Sequence, residues 1–84
     1  MESLDGMLNI GKEMKAKLFS IGVRSQEDLI RLGSKEVFKQ LKEQYPNVCL
    51  VHLYALQGAV DNIGYGKLPA EVKLDLKQFN ESLK

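Results

Sequence analysis

Tryptophan is absent from this 84-residue chain, cysteine and histidine occur once each, and proline only twice. A single cysteine closes no internal disulfide, so stability has to come from a packed core. The position of Cys49 in an apolar run points to a buried thiol and to a reducing, cytoplasmic compartment. One histidine and one cysteine are half of a zinc site with no second pair to complete it, so neither a metal nor a cofactor is expected. No hydrophobic run is long enough to cross a bilayer: the longest, Val48 to Val60, is interrupted by His52 and Gln57. The first residues include Glu2 and Asp5 and lack the basic start and apolar stretch of a signal peptide. No membrane role is expected. Charge of either sign is also in short excess, since the formal net charge is +1. A protein drawn to nucleic acid by its overall field is commonly far more basic.

The distribution of charge says more than its sum. Residues 1–42 hold eight Lys/Arg against six Asp/Glu, and residues 43–84 hold four against five, so the basic excess is N-terminal. Lys12, Lys15, Lys17 and Arg24 surround the first glycines, with only Glu13 opposing them. They form a small local patch.

What the chain does have is helical patterning. Glycines and prolines divide it into about five short segments with almost no alternation of apolar and polar residues, so the expected fold is an all-α bundle of a single domain over residues 1–84. Glu2 to Leu8 has the makings of a turn or two of helix, weakened by Gly6. Lys12 to Ile21 places Met14, Leu18 and Ile21 on one face and ends at Gly22, a residue that reaches positive φ at no steric cost. Ser25 stands three residues before Asp28, close to the spacing of a capping box, and the helix it opens stops at Gly33. Ser34 is in place to cap a third helix with Val37, Phe38, Leu41 and Tyr45 on one face, which ends at Pro46-Asn47. Val48 to Asn62 is apolar almost all round, as expected of a central helix, with Tyr54 in the core and Gly58 marking a close helix crossing. Gly64-Tyr65-Gly66 reads as a flexible connection exposing Tyr65. Pro69 then opens a last helix, whose stripe of Val72, Leu76, Phe79 and Leu83 closes the bundle.

Catalytic chemistry finds little support. Cys49 and His52 are three apart and could share a helical face as nucleophile and base, but no third residue is in place to orient the histidine. Glu27 with Asp28, and Glu71 with Asp75, lie near helix starts, where carboxylates cap and complement the helix dipole. Tyr45, Tyr54 and Tyr65 are too dispersed to form a base-stacking platform. The expectation is a protein that is not an enzyme.

The glycine turns are the features that invite a ligand. A turn leading into a helix N-terminus presents unpaired N–H groups, and these can hold an anion such as a DNA phosphate. Leu8-Asn9-Ile10-Gly11-Lys12 resembles the turn of a helix-hairpin-helix, with Asn9 where the first glycine normally sits; asparagine is the tolerated substitute in a left-handed conformation. The resemblance extends through Leu18, Ile21-Gly22-Val23 and Glu27-Asp28-Leu29 over residues 8–41, and includes the C-terminal domain of the RNA polymerase α subunit. Lys15 departs from it, standing where hairpin modules usually have a small residue.

A more specific resemblance runs along almost the whole chain. Asn9-Ile10-Gly11, Ile21-Gly22-Val23 with Glu27-Asp28-Leu29, Leu32-Gly33, Leu53-Tyr54-Ala55-Leu56-Gln57-Gly58-Ala59 and Leu68-Pro69, in this order and spacing, look like the C-terminal domain of TfoX (Sxy) competence regulators. Gly64-Tyr65-Gly66 replaces the aromatic-rich segment usual before Leu68-Pro69. The resemblance implies a helix-hairpin-helix-like or SAM-like bundle, and a link to transcription of DNA-uptake genes. That domain is often the second half of a longer protein. With no room for the first half, the chain is expected to be a stand-alone member or an excised domain, and Met1 fits the former. Two readings of function follow. In one, a regulatory domain binds DNA weakly, or a transcription partner or separate N-terminal domain, through Asn9, Ile10, Gly11, Lys12, Lys15 and Arg24. In the other, the chain is a protein–protein adaptor or homodimerisation module without DNA contact.

Overall fold

Five helices and one short 3-10 turn make up the described part of the chain, residues 9–83 of a computed structural model. They are α1 (Lys12–Ser20), α2 (Gln26–Leu32), α3 (Ser34–Gln44), α4 (Leu50–Asp61), the 3-10 turn Tyr65–Lys67, and α5 (Ala70–Ser82). Among the described residues there is no strand. The segment Glu2 to Leu8, expected to include a turn or two of helix, lies outside the described residues.

The helix ends follow from their local chemistry. At the end of α1 the N–H of Gly22 donates to the Phe19 carbonyl at 3.1 Å and that of Val23 to the Leu18 carbonyl at 2.9 Å. This is the pair of bonds that closes a helix through a left-handed residue, and Gly22 supplies it at φ 90°. Ser25 caps α2: its Oγ accepts the Asp28 N–H at 3.1 Å. The Asp28 carboxylate does not return the bond to Ser25, as the longer Glu or Gln of a full capping box would. It accepts instead the N–H of Arg24 at 3.1 Å and pairs with Arg31 at 3.0 Å. Ser25→Ala should therefore lower stability by about 1 kcal/mol, as a shift of the thermal midpoint, while Ser25→Asp keeps most of it.

Gly33, at φ 85°, is at once the residue that ends α2 from outside it and the residue before α3. Ser34 is thus already inside α3 and does not cap it, contrary to the sequence expectation. Its buried hydroxyl donates instead to Gln57 Oε1 at 2.5 Å, tying the start of α3 to α4. Between α3 and α4, the Lys42 ammonium donates to the carbonyls of Pro46 at 3.3 Å and Val48 at 2.8 Å, satisfying the turn that Pro46 imposes.

α4 is the central element, packed against α3, α5 and the 3-10 turn. Leu53 and Leu56 of α4 meet Phe38 and Leu41 of α3, Leu18 of α1, Leu29 of α2 and Leu76 of α5 in one core. Val72, Phe79 and Leu83 lie half-buried against it, as the stripe on α5 requires. Tyr54 is half-buried, with its hydroxyl donating to the Lys73 carbonyl at 3.4 Å. Across the surface, Lys35 pairs with Asp75 at 2.7 Å and lies over the Phe79 ring, joining α3 to α5. No helix of the described residues is long and apolar enough to cross a membrane.

Gly58 corrects a second expectation. Its close neighbour is not another helix. A Cβ there would lie 2.6 Å from the Ile63 carbonyl oxygen and collide with the Asn9 side-chain amide, which arrives from the far end of the chain.

Candidate functional site

The turn before α1 is built around Asn9, which carries the left-handed conformation at φ 70°. Asparagine is among the few residues other than glycine that adopt this conformation, and the hairpin's usual glycine is not needed. The side chain turns inward: Nδ2 donates to the carbonyls of Ile63 at 3.0 Å and Ala55 at 3.4 Å, and Oδ1 accepts the N–H of Tyr65 at 3.3 Å. Ile10 follows it into the structure and packs on the core. Gly11 is exposed, in ordinary extended backbone at φ −87°, with open space where a Cβ would be. It precedes α1 without any side-chain cap. The backbone N–H groups of Lys12, Glu13 and Met14 are the first-turn donors that α-helical bonding leaves over.

The residues that carry these donors line a cleft of about 420 Å³ between the amino-terminal halves of α1 and α4. Gly11, Lys12, Glu13 and Lys17 form one wall, Val51, His52 and Ala55 the other, and Asn9 and Tyr65 also line it. A second hollow of about 380 Å³, bounded by Tyr45, Pro46 and Asn47, shares Lys17 and His52 with the first. The Lys17 ammonium lies 5.6 Å from the centroid of the Tyr45 ring, which steers the cation along the groove. Lys12 is the more telling charge. A cation in the first turn opposes the helix dipole, which favours anions there, so Lys12 adds positive potential where the backbone already supplies it, offset in part by Glu13 in the same turn.

Three of the six residues expected to bind, Asn9, Gly11 and Lys12, line the cleft. Asn9 contributes through its backbone, since its amide is committed to α4 and the Tyr65 turn. Ile10 serves the core beneath. Lys15 is half-buried, lies over the Phe19 ring at 5.9 Å, and is not part of the cleft wall. Arg24 is exposed beyond the far end of α1, about 13 Å along the helix at 1.5 Å per residue, so the structure does not gather it with Lys12. Lys17 and Val51 are not among the residues expected to bind, whereas Tyr65 is the aromatic expected to be exposed; the spacing of Glu13 and Lys17 by four places Lys17 on this face.

Cys49 and His52 do meet, but at the start of α4. The Cys49 N–H donates to His52 Nδ1 at 3.0 Å, and the thiol Sγ lies 3.5 Å from the same nitrogen. The imidazole thus caps the helix with the lone pair a general base would use. Cys49 is exposed, contrary to the buried thiol that its apolar neighbours suggested, because the residue before a helix is extended and turns its side chain out of the apolar stripe. Among the described residues, no three His, Cys, Asp or Glu side chains are grouped to hold a metal ion.

The order of turns, the left-handed Asn9, the bare Gly58 beneath it and the Leu68-Pro69 lead into α5 belong to one pattern, and the profile of the TfoX C-terminal domain matches residues 1–80. The chain belongs to this family. Its fold is shared by two solved structures of TfoX C-terminal size. One is an uncharacterized protein from Listeria monocytogenes in a triclinic crystal form, 39% identical, with a TM-score of 0.93 over 95% of this chain and 91% of that one. The other, a protein of unknown function from Listeria monocytogenes in a tetragonal form, is 38% identical, with a TM-score of 0.93 over 96% of this chain and 100% of that one. No protein of curated function matches. The TfoX C-terminal fold therefore accounts for the bundle, and the chemistry of the cleft has to be argued from its own residues.

Proposed function

We propose that this TfoX C-terminal domain is a non-enzymatic regulatory module of competence and DNA transformation, and that it contacts duplex DNA through the phosphate backbone at the start of α1. The observation that carries this reading is the coincidence of the uncapped first turn of α1 with Lys12 and Lys17 on one wall of the cleft. Backbone donors and ammonium groups together suit a phosphate and carry no base preference, so the contact positions the domain without reading sequence.

Few phosphates are neutralised by so small a patch, and a net charge of +1 adds no long-range pull. Binding is therefore weak and steeply dependent on salt, with a log–log slope of about −2 to −3 for two or three phosphates. Titration of duplex DNA at low salt against the double variant Lys12→Glu, Lys17→Glu measures this. Charge reversal should abolish binding, whereas Lys15→Glu, on another face of α1, should weaken it only modestly. Equal effects from all three positions, or no binding at low salt, would sink the reading.

A second reading has its own support. Val51 and Tyr65, both on the cleft, are about half exposed at 52% and 46%, and apolar surface beside cations suits a protein partner. The adaptor function would leave DNA binding absent and lose partner capture with Tyr65→Ala; light scattering tests the homodimer form of it.

A further inference from the structure

We infer that Asn9 is a latch: its side-chain amide couples the turn that starts α1 to the Tyr65 turn, so that two sides of the cleft open as one unit. An asparagine amide can donate twice and accept, and Asn9 uses both ends, donating to Ile63 and Ala55 and accepting from Tyr65. Its partners stand 46 to 56 residues away in sequence, so each bond joins segments far apart along the chain. Gly58 provides the bare backbone over which the amide reaches them.

Besides its packing against α4, the Tyr65 turn has two further hydrogen bonds among the described residues, one from the Lys67 N–H to the Gly64 carbonyl at 2.9 Å and one from the Lys73 ammonium to the Gly66 carbonyl at 3.3 Å. The first is internal to the turn and the second runs to α5, so neither ties it to α1. Asn9 does, which makes it a positioning residue for Tyr65 in the cleft. The coupling does not depend on what the cleft binds and can fail or hold apart from the DNA contact.

Amide hydrogen exchange of the full chain by nuclear magnetic resonance tests it. Asn9→Gly keeps the left-handed backbone and removes only the amide. Exchange at the Tyr65 N–H should then quicken about tenfold, while the α4 core amides of Leu53 and Leu56 keep their rates. Asn62→Gly serves as control, since Asn62 is also left-handed, at φ 59°, and exposed. It should leave Tyr65 unchanged. A Tyr65 rate unaltered by Asn9→Gly, or raised only in step with every other amide, overturns the latch.

Should Asn9→Gly fail to fold, the wild-type protein decides. In low denaturant, the Tyr65 N–H and the Lys15 N–H, which makes the first bond of α1 to the Gly11 carbonyl, should open with the same denaturant dependence. Separate openings would show two independent segments and refute the coupling.

Discussion

Gly58→Ala should destabilise the domain by about 2–3 kcal/mol, although the same change inside an ordinary exposed helix would stabilise it by about 1 kcal/mol through helix propensity. The added methyl would stand 2.6 Å from the Ile63 carbonyl oxygen and press on the Asn9 amide. The carbonyl cannot swing aside freely, because the Ile63 N–H is itself bonded to the Gly58 carbonyl at 2.9 Å. Overpacking of this kind costs about 1–3 kcal/mol, and displacing Asn9 forfeits hydrogen bonds worth about 0.5–1.5 kcal/mol each. The losses outweigh the propensity gain. Urea unfolding followed by circular dichroism reads the difference, and a midpoint equal to or above that of the wild type would show that the turn at Ile63 relaxes without strain.

Ending the chain after Leu68 should have the larger effect and abolish the monomeric fold. Helix α5 places Leu76 in the core at 1% exposure, with Val72, Phe79 and Leu83 packed half-buried around it. A fully buried large apolar side chain contributes about 1.5–3 kcal/mol, and the three partial burials bring the sum to about 5 kcal/mol. That is comparable with the entire stability of a chain of this size, at about 0.05–0.15 kcal/mol per residue. Removing α5 also bares the face of α4 that carries Leu53 and Leu56. The shortened chain should be unfolded or associated by circular dichroism and light scattering. A monomer with a cooperative melt would mean that α1 to α4 suffice as a core.

Much of this architecture was legible in the sequence wherever its cause was local. Gly22 and Gly33 have the positive φ expected of them, Ser25 caps α2, and Pro69 stands just before α5. The misreadings share a different origin. The sequence marks Gly58 for a close helix crossing, but its constraint comes from the Ile63 carbonyl and from Asn9, a residue 49 positions earlier, whose amide no periodicity announces. The apolar neighbours of Cys49 point to a buried thiol, whereas its exposure follows from its place as the extended residue before a helix.

Gly64-Tyr65-Gly66 looked unstructured by composition, yet Tyr65–Lys67 forms a 3-10 turn because a distant side chain and the Lys73 ammonium bond to it. Within the candidate site, nearness in sequence stood in for shared direction. At 3.6 residues per turn Lys15 points about 160° away from Lys17, so only one of these two lysines can face the cleft. Lys12 and Gly11 were legible because both belong to the turn itself.

The long reach of Asn9 also sets an order of events in folding. Helices α1 to α3 are joined by tight turns at Gly22 and Gly33, and their contacts close short loops at small entropic cost. The bond that Asn9 accepts requires Tyr65, so during synthesis the turn before α1 must wait for it until the chain through α4 and the Tyr65 turn has been made. The turn that is made before all five helices is among the last of these elements to find its place.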